Sequence, residues 1–137
     1  MFRISDTSVI GQRAEESLSS RSLNTTFWIL QGLLAVVFLV AGTTKLAGLQ
    51  MQIAFFESIG FGQWFRYLTG GLEVIGATLV LVPGTAGIAA ALLGMTMVGA
   101  VDIHLLITGG NPVPAIVLLV IAITVTWYHE LYLKRRR

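Results

Sequence analysis

Five ionisable side chains lie inside or beside otherwise apolar stretches of the sequence, and they are the residues best placed to do chemistry. They are Lys45, Arg66, Glu73, Asp102 and His104. A carboxylate and an imidazole can exchange protons with a ligand, and a lysine or arginine can stabilise an anion that forms beside it. We therefore take Glu73 and His104 as candidate catalytic residues, and all five as a candidate ligand-binding or ion-pair cluster.

The same residues do not predict a metal site. One histidine near one aspartate supplies too few ligands for zinc or haem, and the second histidine, His129, falls in a different apolar stretch. The sequence contains no cysteine, which excludes disulfides, thiolate ligands and any thiol redox step carried by this chain. Neither a nucleophile elbow nor a phosphate-binding loop is present. Redox chemistry would therefore need a bound cofactor or a partner.

The composition indicates which kind of element carries these residues. Of the 137 residues, 55% are hydrophobic and 12% are charged, whereas a soluble domain has about 25% charged residues. The mean hydropathy is +0.80, and the apolar residues are gathered into runs rather than spread over amphipathic faces. These features exclude a soluble globular protein. Basic residues cluster at the two ends without interleaved aromatics, so nucleic-acid binding is not predicted.

Four apolar runs have the length of transmembrane helices, since about 20 residues cross a hydrocarbon core about 30 Å thick. Their approximate bounds are 27–46, 65–82, 86–107 and 113–133. Helix-breaking residues separate the later runs at Pro83-Gly84 and again between Gly109 and Pro112. We therefore predict an all-α fold, an integral membrane bundle of four antiparallel transmembrane helices.

Polar segments flank this predicted bundle. Residues 1–25 are expected to form a polar cytoplasmic tail, solvated and with at most a short helix around residues 14–18. Residues 26–133 form the transmembrane domain, and residues 134–137 form a basic cytoplasmic end. A cleavable signal peptide is disfavoured by the long tail before the first run and by the length of that run.

The distribution of basic and aromatic residues predicts the orientation. Seven of the nine basic residues lie in the terminal segments, and four spans place both termini on one side, which the positive-inside rule makes the cytoplasm. The segment Gly48 to Gln63 is then an external loop, rich in apolar residues, with a short helix lying along the membrane. In and beside this loop, Phe55, Phe56 and Trp64 are candidate cofactor-binding residues. All five ionisable residues fall in the external half of the membrane.

Small residues surround the charged positions and predict close helix contacts there. Glycine, alanine and threonine occupy the positions three and four residues to either side of Glu73, and Ala41, Gly42 and Gly48 flank Lys45. In the third run a stripe at intervals of four leads to Asp102. Its members are Ala86, Ala90, Gly94, Val98 and Asp102. We therefore expect Lys45, Glu73 and Asp102 on packing faces, with Lys45 and Glu73 meeting directly or through water.

Each candidate residue also has a purely structural interpretation. Lys45, Arg66 and Asp102 lie near helix ends, where a charged side chain can extend to the membrane surface. Glu73 can serve only to fix the register of two helices through an ion pair. His104 can be a hydrated histidine at the membrane interface. The sequence leaves both kinds of interpretation open.

The order of these motifs resembles the DoxX-like family of small bacterial membrane proteins. The resemblance covers about residues 26–128 and rests on a first run ending Ala41-Gly42-Thr43-Thr44-Lys45-Leu46 and a second reading Leu68-Thr69-Gly70-Gly71-Leu72-Glu73-Val74-Ile75-Gly76-Ala77. It implies a four-helix fold in the bacterial plasma membrane, with Lys45 and Glu73 at the family's recurring lysine and glutamate positions. It also implies an association with membrane oxidoreductase complexes, including quinone-linked sulfur oxidation.

Three functions remain open. The first is an accessory or assembly subunit that docks a membrane or exported protein and has no self-contained catalysis. The second is a quinone-binding oxidoreductase subunit, in which Glu73 and His104 exchange protons with the head group and Lys45 or Arg66 stabilises its anion. The third is a proton-coupled transporter, which would require a homo-oligomer. The sequence supplies no electron carrier, which favours the accessory subunit over a complete enzyme.

Overall fold

The computed structural model describes the backbone of residues 3–136 and the side chains of residues 7–135, and this part of the chain is helical with no strand. The prediction of an all-α fold is therefore confirmed. The predicted polar tail and basic end include residues 1, 2 and 137, which lie outside the described residues. The helices are α1 (Arg3–Leu46), α2 (Gln50–Ile59), α3 (Gln63–Val80), α4 (Ala86–Ile103) and α5 (Val113–Arg136), with a π-helical turn at His104–Thr108.

Helix α1 is much longer than the first apolar run. It begins at Arg3, so the short helix expected around residues 14–18 is part of a continuous helix. In its polar part, the hydroxyls of Ser17 and Ser20 donate to backbone carbonyls three residues earlier, which satisfies these side chains within the helix. The chain divides into two compact units after Leu30. Every candidate site residue belongs to the second unit.

Among the described residues, three helical segments are long and apolar enough to cross a membrane. They are Thr7–Leu46, Ala86–Thr108 and Val113–Arg135. Helix α3, in the second predicted span, has 18 residues but is not among them. Its hydropathy is lower because it contains Gln63, Arg66 and Glu73. The prediction of a membrane protein is supported by three candidate spans.

Glycines bring α1 and α3 almost into backbone contact. A Cβ on Gly42 would lie 2.8 Å from the carbonyl oxygen of Gly70, and a Cβ on Gly70 would lie 3.1 Å from the Cβ of Lys45. Toward the other end of α3, the Gln31 side-chain amide donates to the carbonyl of Val80 at 3.2 Å. Higher residue numbers on α1 thus meet lower numbers on α3, so the two helices run in opposite directions.

Helix α4 packs between α3 and α5, also through small residues. A Cβ on Gly76 of α3 would lie 2.7 Å from the side chain of Leu93, and a Cβ on Gly94 would lie 3.5 Å from the Cβ of Ala122 on α5. These contacts surround an apolar core. Among its fully buried side chains are Leu34, Phe38, Val80, Leu93 and Val125.

The predicted small-residue stripe on α4 faces the core only over its first part. Ala86, Ala90 and Gly94 are buried, whereas Val98 and Asp102 are exposed. The expectation that Asp102 lies on a packing face is therefore wrong. Residues four apart on a helix are rotated by about 40°, so four such steps carry the stripe about 160° around the helix. Asp102 consequently points away from the face that Ala86 presents to the core.

Helix α2 lies between the ends of α1 and α3, within the segment where a short helix was predicted. Its link to α3 depends on two glycines with positive φ: Gly60 at 83° ends α2 and Gly62 at 85° precedes α3. This conformation is strained for residues with a Cβ. The link turns the chain sharply, so that aromatic side chains of α2 and of the first turn of α3 come into contact.

Candidate functional site

A cavity of about 580 Å³ lies in the second unit. Its walls are the last turn of α1, helix α2, the first part of α3, the second half of α4 and the start of the π-helical turn. Most of the wall is apolar. The polar side chains in it are Lys45, Gln52, Thr69, Glu73, Thr96 and His104. The structure thus brings three of the five ionisable candidates to one cavity.

Lys45 and Glu73 form a close ion pair in the cavity wall. The Lys45 ammonium nitrogen lies 2.7 Å from Oε2 of Glu73 and 2.9 Å from Oε1. The contact predicted between these residues is therefore present. Glu73 is only 2% exposed, and an unpaired charge at such a position is strongly destabilising. Gly70, one turn before Glu73, makes room for the side chain of Lys45 against α3.

Arg66 is buried beside this pair instead of extending to the membrane surface. It is 3% exposed, and its Nη1 donates to the backbone carbonyl of Lys45. Its Nε donates to the side-chain oxygen of Gln63 at 2.6 Å, and its guanidinium lies 4.3 Å from the ring centroid of Tyr67. The last carbonyls of a helix lack intrahelical donors and carry partial negative charge. Arg66 therefore holds the end of α1 and does not line the cavity.

His104 approaches the cavity from the π-helical turn, a conformation often found at functional sites. Its ring centroid lies 5.8 Å from that of Phe55, and its Nδ1 lies 3.4 Å from the hydroxyl of Thr108. The ring is half-buried. Among the described residues no group of three His, Asp or Glu side chains is arranged to hold a metal ion.

The candidate cofactor-binding aromatics differ in position. Phe55 and Phe56 line the cavity and contact each other edge to face, with ring centroids 5.6 Å apart. Trp64 is exposed, contacts Phe65 at 5.7 Å and does not line the cavity. Asp102 is also outside the cavity, and within the described part of the chain its carboxylate makes neither a hydrogen bond nor an ion pair. Trp64 and Asp102 are therefore not brought to the site.

Sequence reasoning missed the cavity wall formed by α4. Met95, Thr96 and Gly99 line the cavity, but α4 is apolar almost throughout, so no polar face marks one side of it. In the sequence, Gly94 belongs to the small-residue stripe that leads to Asp102, whereas nothing marks Gly99. In the structure, Gly94 packs against α5, whereas a Cβ on Gly99 would meet no atom within 4 Å. Only the spatial arrangement shows that Gly99 borders open space.

Comparison with known proteins gives two matches. A model described as the DoxX-like family matches residues 29–127. A protein of Bacillus subtilis (strain 168) named "Putative oxidoreductase CatD" is 32% identical over 73 residues, which are 53% of this chain and 54% of that protein. The chain therefore spans about half the length of this curated relative. No solved structure matches the chain significantly.

Proposed function

The chain belongs to the DoxX-like family, and from this premise we propose that it is a quinone-binding subunit of a redox-linked complex in the bacterial plasma membrane. The observation that carries the proposal is the Lys45–Glu73 ion pair in the wall of a mainly apolar cavity. A quinone head group combines a flat apolar ring with oxygen atoms at opposite edges. Such a ligand needs an apolar pocket that offers a few well-placed polar groups.

The chemistry of the cavity wall suits such a head group. The Lys45 ammonium can donate a hydrogen bond to a quinone oxygen and stabilise negative charge that develops there. Glu73, hydrogen-bonded to Lys45, and His104 are groups that can exchange protons with the ligand. Phe55 and Phe56 offer ring surfaces for stacking. These roles use the candidate residues that the cavity brings together.

The electrons must come from another molecule. Reduction of a quinone to a quinol takes up two electrons and two protons, and the reverse reaction releases them. The sequence contains no motif for an electron carrier. A partner protein that carries a flavin or metal cofactor would exchange the electrons, and the present chain would bind the quinone and handle its protons. The Bacillus subtilis relative is named "Putative oxidoreductase CatD", which is consistent with a redox function.

In this proposal α3 crosses the membrane together with the three more apolar helices, giving four antiparallel spans. The charges that lower its hydropathy would not face lipid, since Arg66 and Glu73 are both buried within the protein. At 1.5 Å per residue its 18 residues span about 27 Å, close to the hydrocarbon thickness of about 30 Å. Both termini would lie in the cytoplasm, in keeping with their basic residues.

Quinone titration of the purified protein in lipid nanodiscs tests the proposed function. The decisive variant is the double substitution Lys45→Met with Glu73→Gln, which removes both charges while keeping the side-chain lengths. We expect saturable quinone binding by the wild type, and affinity lower by about tenfold in the double variant because charge-assisted hydrogen bonds are lost. Asp102→Asn, outside the cavity, is the control and should bind like the wild type.

Two results would contradict the proposal. Equal quinone affinity in the wild type and the double variant would mean that the ion pair does not contact the ligand. A wild-type protein that binds no quinone, yet purifies with a protein partner, would support an accessory or assembly subunit. Mass spectrometry of molecules retained in mild detergent distinguishes these two cases.

A further inference from the structure

The cavity is bordered by side chains that are also exposed on the protein surface. Met51 of α2 is 75% exposed and Met95 of α4 is 72% exposed, and both line the cavity. Gly99 of α4 and Leu68 of α3 are likewise exposed and line it. The cavity is therefore open to the surface at an apolar rim. Glu73, in contrast, lies in its buried wall.

The α4 side of this rim lies at the middle of a candidate membrane span. The span runs from Ala86 to Thr108. Met95 is nine residues from its first residue and Gly99 is nine residues from its last, so each lies about 14 Å from an end. A rim at that depth faces hydrocarbon, where no water is available to admit a polar solute.

We propose that the cavity takes its ligand laterally from the hydrocarbon layer through this rim, with Gly99 determining whether a hydrocarbon tail can pass. The proposal rests on the proposed function and narrows its substrate class to quinones that carry a long isoprenoid tail. The head group lies at the Lys45–Glu73 pair and the tail leaves between α2 and α4. A water-soluble quinone without a tail does not make the apolar contacts that the opening offers.

Gly99 is the residue that leaves this opening free. A Cβ at Gly99 would meet no atom within 4 Å, so a larger side chain can be accommodated without displacing the backbone and would occupy the opening. Gly71 of α3 provides a matched control. A Cβ there would also meet nothing within 4 Å, but Gly71 does not line the cavity. Both glycines lie within helices, where leucine is a better helix former.

Quinone binding to Gly99→Leu and Gly71→Leu in nanodiscs tests the role of Gly99. The probes are a quinone with a long isoprenoid tail and the same head group without a tail. We expect Gly99→Leu to weaken binding of the tailed quinone by about tenfold, since apolar contacts are lost, and to change binding of the bare head group by less than about twofold. Gly71→Leu should match the wild type with both probes. Unchanged affinity of Gly99→Leu for the tailed quinone would overturn the proposal.

A second measurement tests, without any quinone, whether the rim at Gly99 faces hydrocarbon. Because the chain has no cysteine, a nitroxide spin label can be attached at Gly99→Cys alone. In nanodiscs we expect the label to collide mainly with oxygen, which concentrates in hydrocarbon, and rarely with a water-soluble nickel chelate. A label at Asn111→Cys, in the exposed link after the π-helical turn, should show the opposite preference.

The two measurements separate the failure of this inference from the failure of the proposed function. Nickel access at position 99 would overturn lateral entry, even if the protein binds quinone. If the wild type binds neither quinone probe, the proposed function fails, and the proposed substrate class fails with it.

Discussion

At the scale of single residues, the charges of Lys45, Glu73 and Arg66 do not cancel. Lys45 and Glu73 neutralise each other across 2.7 Å. The described contacts of Arg66 are to the backbone carbonyl of Lys45, the amide oxygen of Gln63 and the ring of Tyr67, none of which is a carboxylate. The formal charges of Lys45, Glu73 and Arg66 therefore add up to one positive unit. Such an environment favours the anionic form of a ligand that gains electrons.

The ion pair predicts an ordered series of stabilities. Glu73→Ala leaves the Lys45 ammonium without its partner, and we expect a loss of about 3 kcal/mol in the free energy of unfolding. The double variant with Lys45→Ala also removes that unpaired ammonium, so it should be more stable than the single variant. Thermal unfolding of the three proteins in the same detergent measures the order. A double variant less stable than Glu73→Ala would show that the pair is not electrostatically coupled.

The hydrogen bonds of Arg66 predict that the geometry of its donors matters more for stability than its charge. Arg66→Lys keeps the positive charge but cannot reproduce the planar set of donors that reaches Lys45 and Gln63 together. We expect the free energy of unfolding to fall by about 1–2 kcal/mol, the cost of leaving a buried polar group without its hydrogen bond. Chemical unfolding in detergent measures this change. Asp102→Asn, at an exposed carboxylate, is the control, and an equal effect in both variants would contradict the role of Arg66 at the end of α1.

At the scale of helices, the sequence predicted what depends on composition and local breakers. Apolar runs indicated the helical membrane segments, and small residues beside Lys45 and Glu73 indicated their contact. Other features depend on how helices rotate and pack in three dimensions. The rotation of α4 exposes Asp102, and only the fold shows that Gly99 borders the cavity. The burial of Arg66 likewise depends on its hydrogen bond to the carbonyl of Lys45, and no sequence pattern predicts where that carbonyl lies.

The glycine contacts predict a difference between two positions of the same helix. Gly42→Ala would push a methyl group to 2.8 Å from the carbonyl oxygen of Gly70, whereas Gly32→Ala would meet nothing within 4 Å. We expect Gly42→Ala to lower the free energy of unfolding by about 1–3 kcal/mol through overpacking, and Gly32→Ala to leave it unchanged or raise it slightly. Unfolding in detergent compares the two. Equal stabilities would contradict the close approach of α1 and α3.

At the scale of the whole molecule, α3 is held at both of its ends. Its first turns are tied through Arg66 to the end of α1. Beyond its last turn, His129 of α5 hydrogen-bonds through Nε2 to the carbonyl of Pro83 at 2.6 Å, and Gln31 of α1 donates to the carbonyl of Val80. These contacts join α1 to both ends of α3, and α5 to the link that follows α3. A helix attached in this way is expected to cross the membrane together with α1 and α5, despite its lower hydropathy.

Topology mapping therefore decides whether α3 is a fourth span. Gly60 and Gly84 lie in exposed links at opposite ends of α3, so a small reporter can be inserted after each glycine while the glycine itself is kept. If α3 crosses the membrane, the reporter at Gly84 should be cytoplasmic, together with one fused after Arg137, and the reporter at Gly60 should be external. If α3 lies along the surface, Gly60 and Gly84 will report the same side. We expect Gly60 and Gly84 to report opposite sides, because Arg66 and Glu73 are buried and the charges that would oppose insertion of α3 therefore do not contact lipid. We expect Gly84 on the cytoplasmic side, because the basic residues at the two ends of the sequence favour the cytoplasm.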